Sequence, residues 1–108
     1  MDDLKLIVDS INQKKFDLAL KQCENYDIDE NKYLINNFIG VIYSLKNNQE
    51  LAEEFFRKSH KLNEKFEDPL KNLYLINIRK KKYLEAINIA QKLNDINSKN
   101  DLFVYQLA

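Results

Sequence analysis

His60 is the chain's only histidine and Cys23 its only cysteine. A histidine serves as a general base when a nucleophile lies within hydrogen-bond reach and a carboxylate orients its far nitrogen. His60 falls in EFFRKSHKL, among charged helical neighbours, and reads as a solvated surface side chain with no catalytic part. Cys23 would need an electropositive, exposed setting to be a nucleophile. It stands in an apolar helical pattern and reads as a small core residue. One histidine and one cysteine supply no cluster of metal ligands. Glu53-Glu54 and Glu85 read as solvated helix faces, not paired acid–base groups. A single glycine leaves no room for a phosphate-cradling loop. The run Arg79-Lys80-Lys81-Lys82 has two readings. It could contact a small anion or an acidic partner. The simpler reading is an exposed turn whose cations complement a helix C-terminus. The expectation is therefore a protein that is not an enzyme, with no catalytic, metal-binding or cofactor-binding residues.

The elements behind these residues are helical. The 108 residues are of single-domain length. Seventeen basic and 17 acidic residues cancel, which argues against nucleic acid as a partner. A composition 44% hydrophobic and 31% charged fits a soluble globular domain. One glycine and one proline are too few for a turn-rich β fold. Asp2 and Asp3 follow Met1 directly, so no leader is expected, and no apolar run approaches the ~20 residues of a membrane span. The lone cysteine fits a reducing compartment. The expected location is cytoplasmic, with no membrane partner.

Apolar residues recur with helical spacing. Leu4, Ile7, Val8 and Ile11 form one stripe, and Ala19, Leu20, Cys23 and Tyr26 the next. Phe38, Val41, Ile42 and Leu45 follow, then Ala52, Phe55, Phe56 and Ser59. A fifth helix is expected from Asp68-Pro69, with Asp68 as N-cap and Pro69 at the first helical position. Tyr83, Ala86, Ile87, Ala90 and Leu93 mark a sixth. Ser98 or Asn100 would cap an incomplete seventh, from Leu102 to Ala108. The breaks at Lys14-Lys15, Asn47-Asn48 and Lys80-Lys81-Lys82 are short enough to force antiparallel neighbours.

The pattern also repeats. KKFDLALKQCENYDI from Lys14 aligns with KKYLEAINIAQKLNDI from Lys81, and NNQELAEEFFRKSHKL fits between them. Ala19, Ala52 and Ala86 then fall at intervals of 33 and 34 residues. Such a period, built of two antiparallel helices, resembles the tetratricopeptide repeat. The fullest match runs from Tyr33 to Phe66. Gly40 holds the small position of its first helix and Tyr43 the aromatic one. Ala52, Phe56 and Ser59 hold the alanine, aromatic and small positions of its second. The third unit keeps Ala86 and Ala90 but has Tyr74 and Asn77 where small and aromatic residues are usual. The first keeps Ala19 but has Ile7 at the small position.

The resemblance implies an all-α fold, a right-handed α-solenoid of stacked antiparallel helix pairs. It comprises repeats at about 1–32, 33–66 and 67–100 and the start of a fourth at 101–108. It also implies a protein-binding module whose first helices line a concave, mostly apolar groove suited to a partner peptide or helix. On this chain the groove residues would be Leu4, Val8 and Ile11; Asn37, Val41 and Ser44; Lys71, Leu75 and Ile78; and Tyr105. Val41, Leu75 and Ile78 are expected to be solvent-accessible. A subclass of the family grips the C-terminal carboxylate of heat-shock chaperones with lysine, arginine and asparagine. The corresponding places here are Leu4, Val8, Phe38, Asp68 and Asn72, and Asp68 would repel that ligand. Two other functions compete: a non-catalytic arm of a larger enzyme such as a glycosyl- or sulfotransferase, and a homo-oligomerising scaffold. The apolar end with Leu102, Phe103, Val104, Tyr105 and Leu107 points to a piece of a longer protein, or to weak self-association through the C-terminal helix.

The frame makes one stability prediction. Ala86→Leu overpacks a helix crossing and costs about 1–3 kcal/mol. Thermal unfolding of the variant checks it, and an unchanged midpoint contradicts the repeat frame at that position.

Overall fold

The computed structural model describes residues 2–97. Among these residues there are six α-helices and no strand. They are α1 (Asp3–Asn12), α2 (Phe16–Asn25), α3 (Lys32–Leu45), α4 (Gln49–Leu62), α5 (Asp68–Arg79) and α6 (Tyr83–Ile96), with a 3-10 turn at Asp29–Asn31 before α3. No helix among the described residues is long and apolar enough to cross a membrane. The expected seventh helix, with Tyr105, lies outside the described residues. Helix α5 begins at Asp68, so Asp68 is its first residue rather than its N-cap, and Glu67 takes the cap position.

The helices pair as α1 with α2, α3 with α4, and α5 with α6, and each pair packs on the next. All three hairpins close with the same backbone turn. Lys14, Asn47 and Lys81 adopt the left-handed conformation, with φ of 61°, 63° and 62°. At each turn the left-handed residue donates its N–H three residues back, and the next residue donates five back. The bonds run from Lys14 to Ile11 and Lys15 to Ser10, from Asn47 to Ser44 and Asn48 to Tyr43, and from Lys81 to Ile78 and Lys82 to Asn77. This pairing caps the carbonyls that a helix leaves open at its C-terminus. Two of the three left-handed positions are lysines, where glycine would adopt the conformation without steric cost.

The following helix starts in register each time. Ala19, Ala52 and Ala86 donate to the carbonyls of Lys15, Asn48 and Lys82, and all three are fully buried. Two apolar clusters result. Ile7, Ile11, Ala19, Cys23, Ile35 and Ile42 join the first three helices. Around Phe56, Leu70, Tyr74, Ile76, Ala86 and Leu93 the last three join in the same way. Val41 touches both clusters.

The α3–α4 pair shows why its small residues are needed. A Cβ on Gly40 would lie 2.6 Å from Phe56 Cδ1 and Cε1. Ser59 Oγ donates to the Tyr33 carbonyl oxygen at 2.6 Å, tying the end of α4 to the start of α3. Tyr43 stacks on Phe55, with ring centroids 5.9 Å apart.

Helix propensity alone would have Gly40→Ala stabilise α3 by about 0.5–1 kcal/mol. Contact with the buried Phe56 ring opposes this. Overpacking costs about 1–3 kcal/mol, so the expected outcome is a net loss of stability, read as a lower urea midpoint with an unchanged m-value. A midpoint at or above that of the unmodified protein contradicts the packing argument.

Candidate functional site

A pocket of about 360 Å³ opens on one side of the helix array. Every described residue lining it comes from the first helix of a hairpin. Helix α1 contributes Val8, Ile11 and Asn12; α3 contributes Asn37, Phe38 and Val41; α5 contributes Asp68, Lys71 and Asn72. The stacking explains this. With hairpins related by a 33–34-residue shift, equivalent residues of α1, α3 and α5 recur across one face. Val8, Val41 and Leu75 are one such set, and Leu4, Asn37 and Lys71 another.

Val8, Ile11, Asn37, Val41 and Lys71 thus line one pocket, whereas Leu4, Ser44, Leu75 and Ile78 lie outside it. Val8 is 36% and Leu75 48% exposed. Val41 and Ile78 are half-buried, because both pack on the apolar clusters. Ile11 belongs to the first cluster outright, and Leu4 packs against it. Ser44 is half-buried beside the second hairpin turn, where its carbonyl accepts from Asn47.

Asn37 is the chemically distinctive member. Its residue is 5% exposed, and its side-chain oxygen is buried without a hydrogen-bond partner. A buried acceptor left unmatched costs about 1–3 kcal/mol. The other buried asparagine, Asn77, donates its side-chain amide to the Leu73 carbonyl at 2.9 Å. Beside Asn37, Lys71 pairs with Glu67 at 3.6 Å. Asp68, also in the lining, is exposed and in no ion pair among the described residues.

The remaining reactive groups lie outside this pocket. Cys23 is 3% exposed. Burial and the nearby Glu24 carboxylate push its thiol up to about 11. His60 is half-buried, not freely solvated as its charged neighbours imply. Burial, followed by the Lys92 ammonium, lowers its pKa despite an opposing effect of Glu64. Among the described residues no group of three or more His, Cys, Asp or Glu could hold a metal ion. The basic turn is tied into the stack, since Lys80 bonds Glu53, which also pairs with Arg57 at 3.6 Å. Glu53 is accordingly half-buried rather than solvated.

Helical spacing placed Asn37 on the face that α1, α3 and α5 share, and no sequence signal marked its oxygen as unmatched. Comparison with protein-family models, curated proteins and solved structures finds no match.

The raised thiol pKa gives a signed prediction. The folded state favours protonated Cys23, so its contribution to stability is intact below the ordinary value of 9.0 and is lost as pH rises towards about 11. At pH 8 iodoacetamide should therefore alkylate Cys23 only as fast as the protein opens. Alkylation is expected to be far slower in buffer than in concentrated guanidinium. Equal rates in the two would show an accessible thiolate.

Proposed function

We propose that the chain is a non-enzymatic protein-interaction module of tetratricopeptide-like repeats, stacked as a right-handed solenoid. It holds a peptide or helix of a partner protein along the face formed by α1, α3 and α5, and works in the cytoplasm without a cofactor. One observation carries this reading. The described residues that line the pocket on that face all belong to the first helices, and one of them, Asn37, carries a buried, unmatched acceptor. A side chain kept at a cost to stability, in a concave and largely apolar setting, fits a ligand contact better than a packing role. Val8, Phe38 and Val41 supply apolar surface for the partner, and the flanking Leu75 extends that surface beyond the pocket. The polar groups fix its position.

The double change Val8→Asp with Leu75→Asp tests the reading. Both side chains are exposed, so helical circular dichroism should remain nearly intact. Val41 is unsuited to the same change because it touches both clusters. The unmodified chain is expected to retain a partner through affinity purification from its native cell, identified by mass spectrometry, and the double variant to lose it. Retention of the same partner by the folded variant would sink the proposal.

A further inference from the structure

We infer that the face of α6 carrying Tyr83 and Ile87 is a docking surface for the chain's own residues 98–108, which lie on α6 as α5 lies on α4. The inference goes beyond the groove and is independent of what the groove binds. It starts from two repeated positions on the second helix of each hairpin. Phe16 and Leu20 of α2 are half-buried and pack against the first apolar cluster, to which α3 of the next hairpin contributes Ile35 and Ile42. Their counterparts on α4 are Gln49 and Glu53, again half-buried, and Glu53 bonds Lys80 at the turn of the next hairpin. On α6 the counterparts are Tyr83 and Ile87. Both are large and apolar, yet 43% and 37% exposed, and no hairpin among the described residues follows α6. Apolar surface at a position that the rest of the stack covers calls for an occupant.

The segment after α6 matches this face in register. A shift of 34 residues, the interval from Ala52 to Ala86, lays 97–107 on 63–73. Asn97, Lys99 and Asp101 then repeat Asn63, Lys65 and Glu67 of the link into α5. Phe103, Val104 and Leu107 fall on Pro69, Leu70 and Leu73. Those three residues of α5 are buried, and Leu70 and Leu73 share a cluster with Ala52 and Phe56 of α4. Each position up to 107 whose α5 counterpart is buried is thus apolar in the segment. A second copy of the chain fits the face less well. Stacked the same way, it would present α1, where the counterparts of Phe103, Val104 and Leu107 are Asp2, Asp3 and Leu6. Asp2 and Asp3 are exposed, and burying either carboxylate unpaired against Tyr83 and Ile87 is costly. The chain's own segment is also tethered at Asn97, which gives it a local concentration that a separate chain lacks.

Nuclear magnetic resonance on the full chain tests this, with a sample that mixes differently labelled chains to separate contacts within one chain from contacts between two. Nuclear Overhauser contacts are expected from the Ile87 methyls to those of Val104 and Leu107 within one chain. Ile87→Asp should speed amide exchange across 102–107 about tenfold, the scale of uncovering one partly buried isoleucine. Leu84→Asp should leave that exchange unchanged, since Leu84 is 80% exposed and its counterpart Glu50 on α4 is exposed as well. Ile87 is itself partly exposed, so its variant is expected to keep the six helices. Leu107→Asp in the segment gives the same readout without altering α6. Absence of the methyl contacts overturns the proposal, as does exchange that neither Ile87→Asp nor Leu107→Asp alters. Contacts that arise only between differently labelled chains also overturn it and assign the face to a second copy.

Discussion

Two helices joined by a three-residue turn approach most closely where one of them offers a small side chain to the other. Ala19, Ala52 and Ala86 meet that constraint, each fully buried and each at the same step of its helix. A larger side chain there would push the pair apart and carry the next hairpin with it, because close-packed interiors pass displacement on. The left-handed residue before each of these helices completes the constraint. It reverses the chain and aims the second helix so that the alanine faces inward. Lys14 and Lys81 hold this conformation without being glycine, so tertiary packing outweighs the local steric preference at both turns.

The face that α1, α3 and α5 share follows from this repetition. The pocket on the side of the first helices draws on α1, α3 and α5 together. Charge is arranged by the same geometry. Lys46 reaches Asp17 at 3.5 Å and Lys80 reaches Glu53, and each link joins one hairpin turn to the hairpin before it. The basic run at 79–82 is thus partly absorbed within the stack. A turn that looks, in the sequence alone, like an anion site is thus partly neutralised by the hairpin before it.

The helices were legible because their apolar periods are strong and their breaks short. The three alanines also announced the hairpin frame before any coordinates. Burial of individual groove residues was not legible. Val41 and Leu75 hold equivalent positions, yet Val41 is covered and Leu75 is exposed. The difference comes from neighbours: Val41 lies between two apolar clusters, whereas α5 belongs to the last described hairpin. Periodicity assigns a residue to a face but cannot count what packs over it. His60 shows the same limit, since its charged sequence neighbours hid the cover it receives from the chain beyond α4. The unmatched oxygen of Asn37 was equally beyond reach, because satisfaction of a polar atom depends on angles and distances, not on residue type.

Leu4, Asn37 and Lys71 occupy one repeated position, and the three copies resolve it differently. Leu4 adds to the first apolar cluster. Lys71 places its charge against Glu67. Asn37 does neither: it is buried more fully than the leucine, it is polar like the lysine, and its oxygen has no partner. Leucine at 37 would remove the unmatched acceptor, and the helical frame accepts leucine at the equivalent position. Asparagine at 37 therefore carries a cost that its counterparts in α1 and α5 do not.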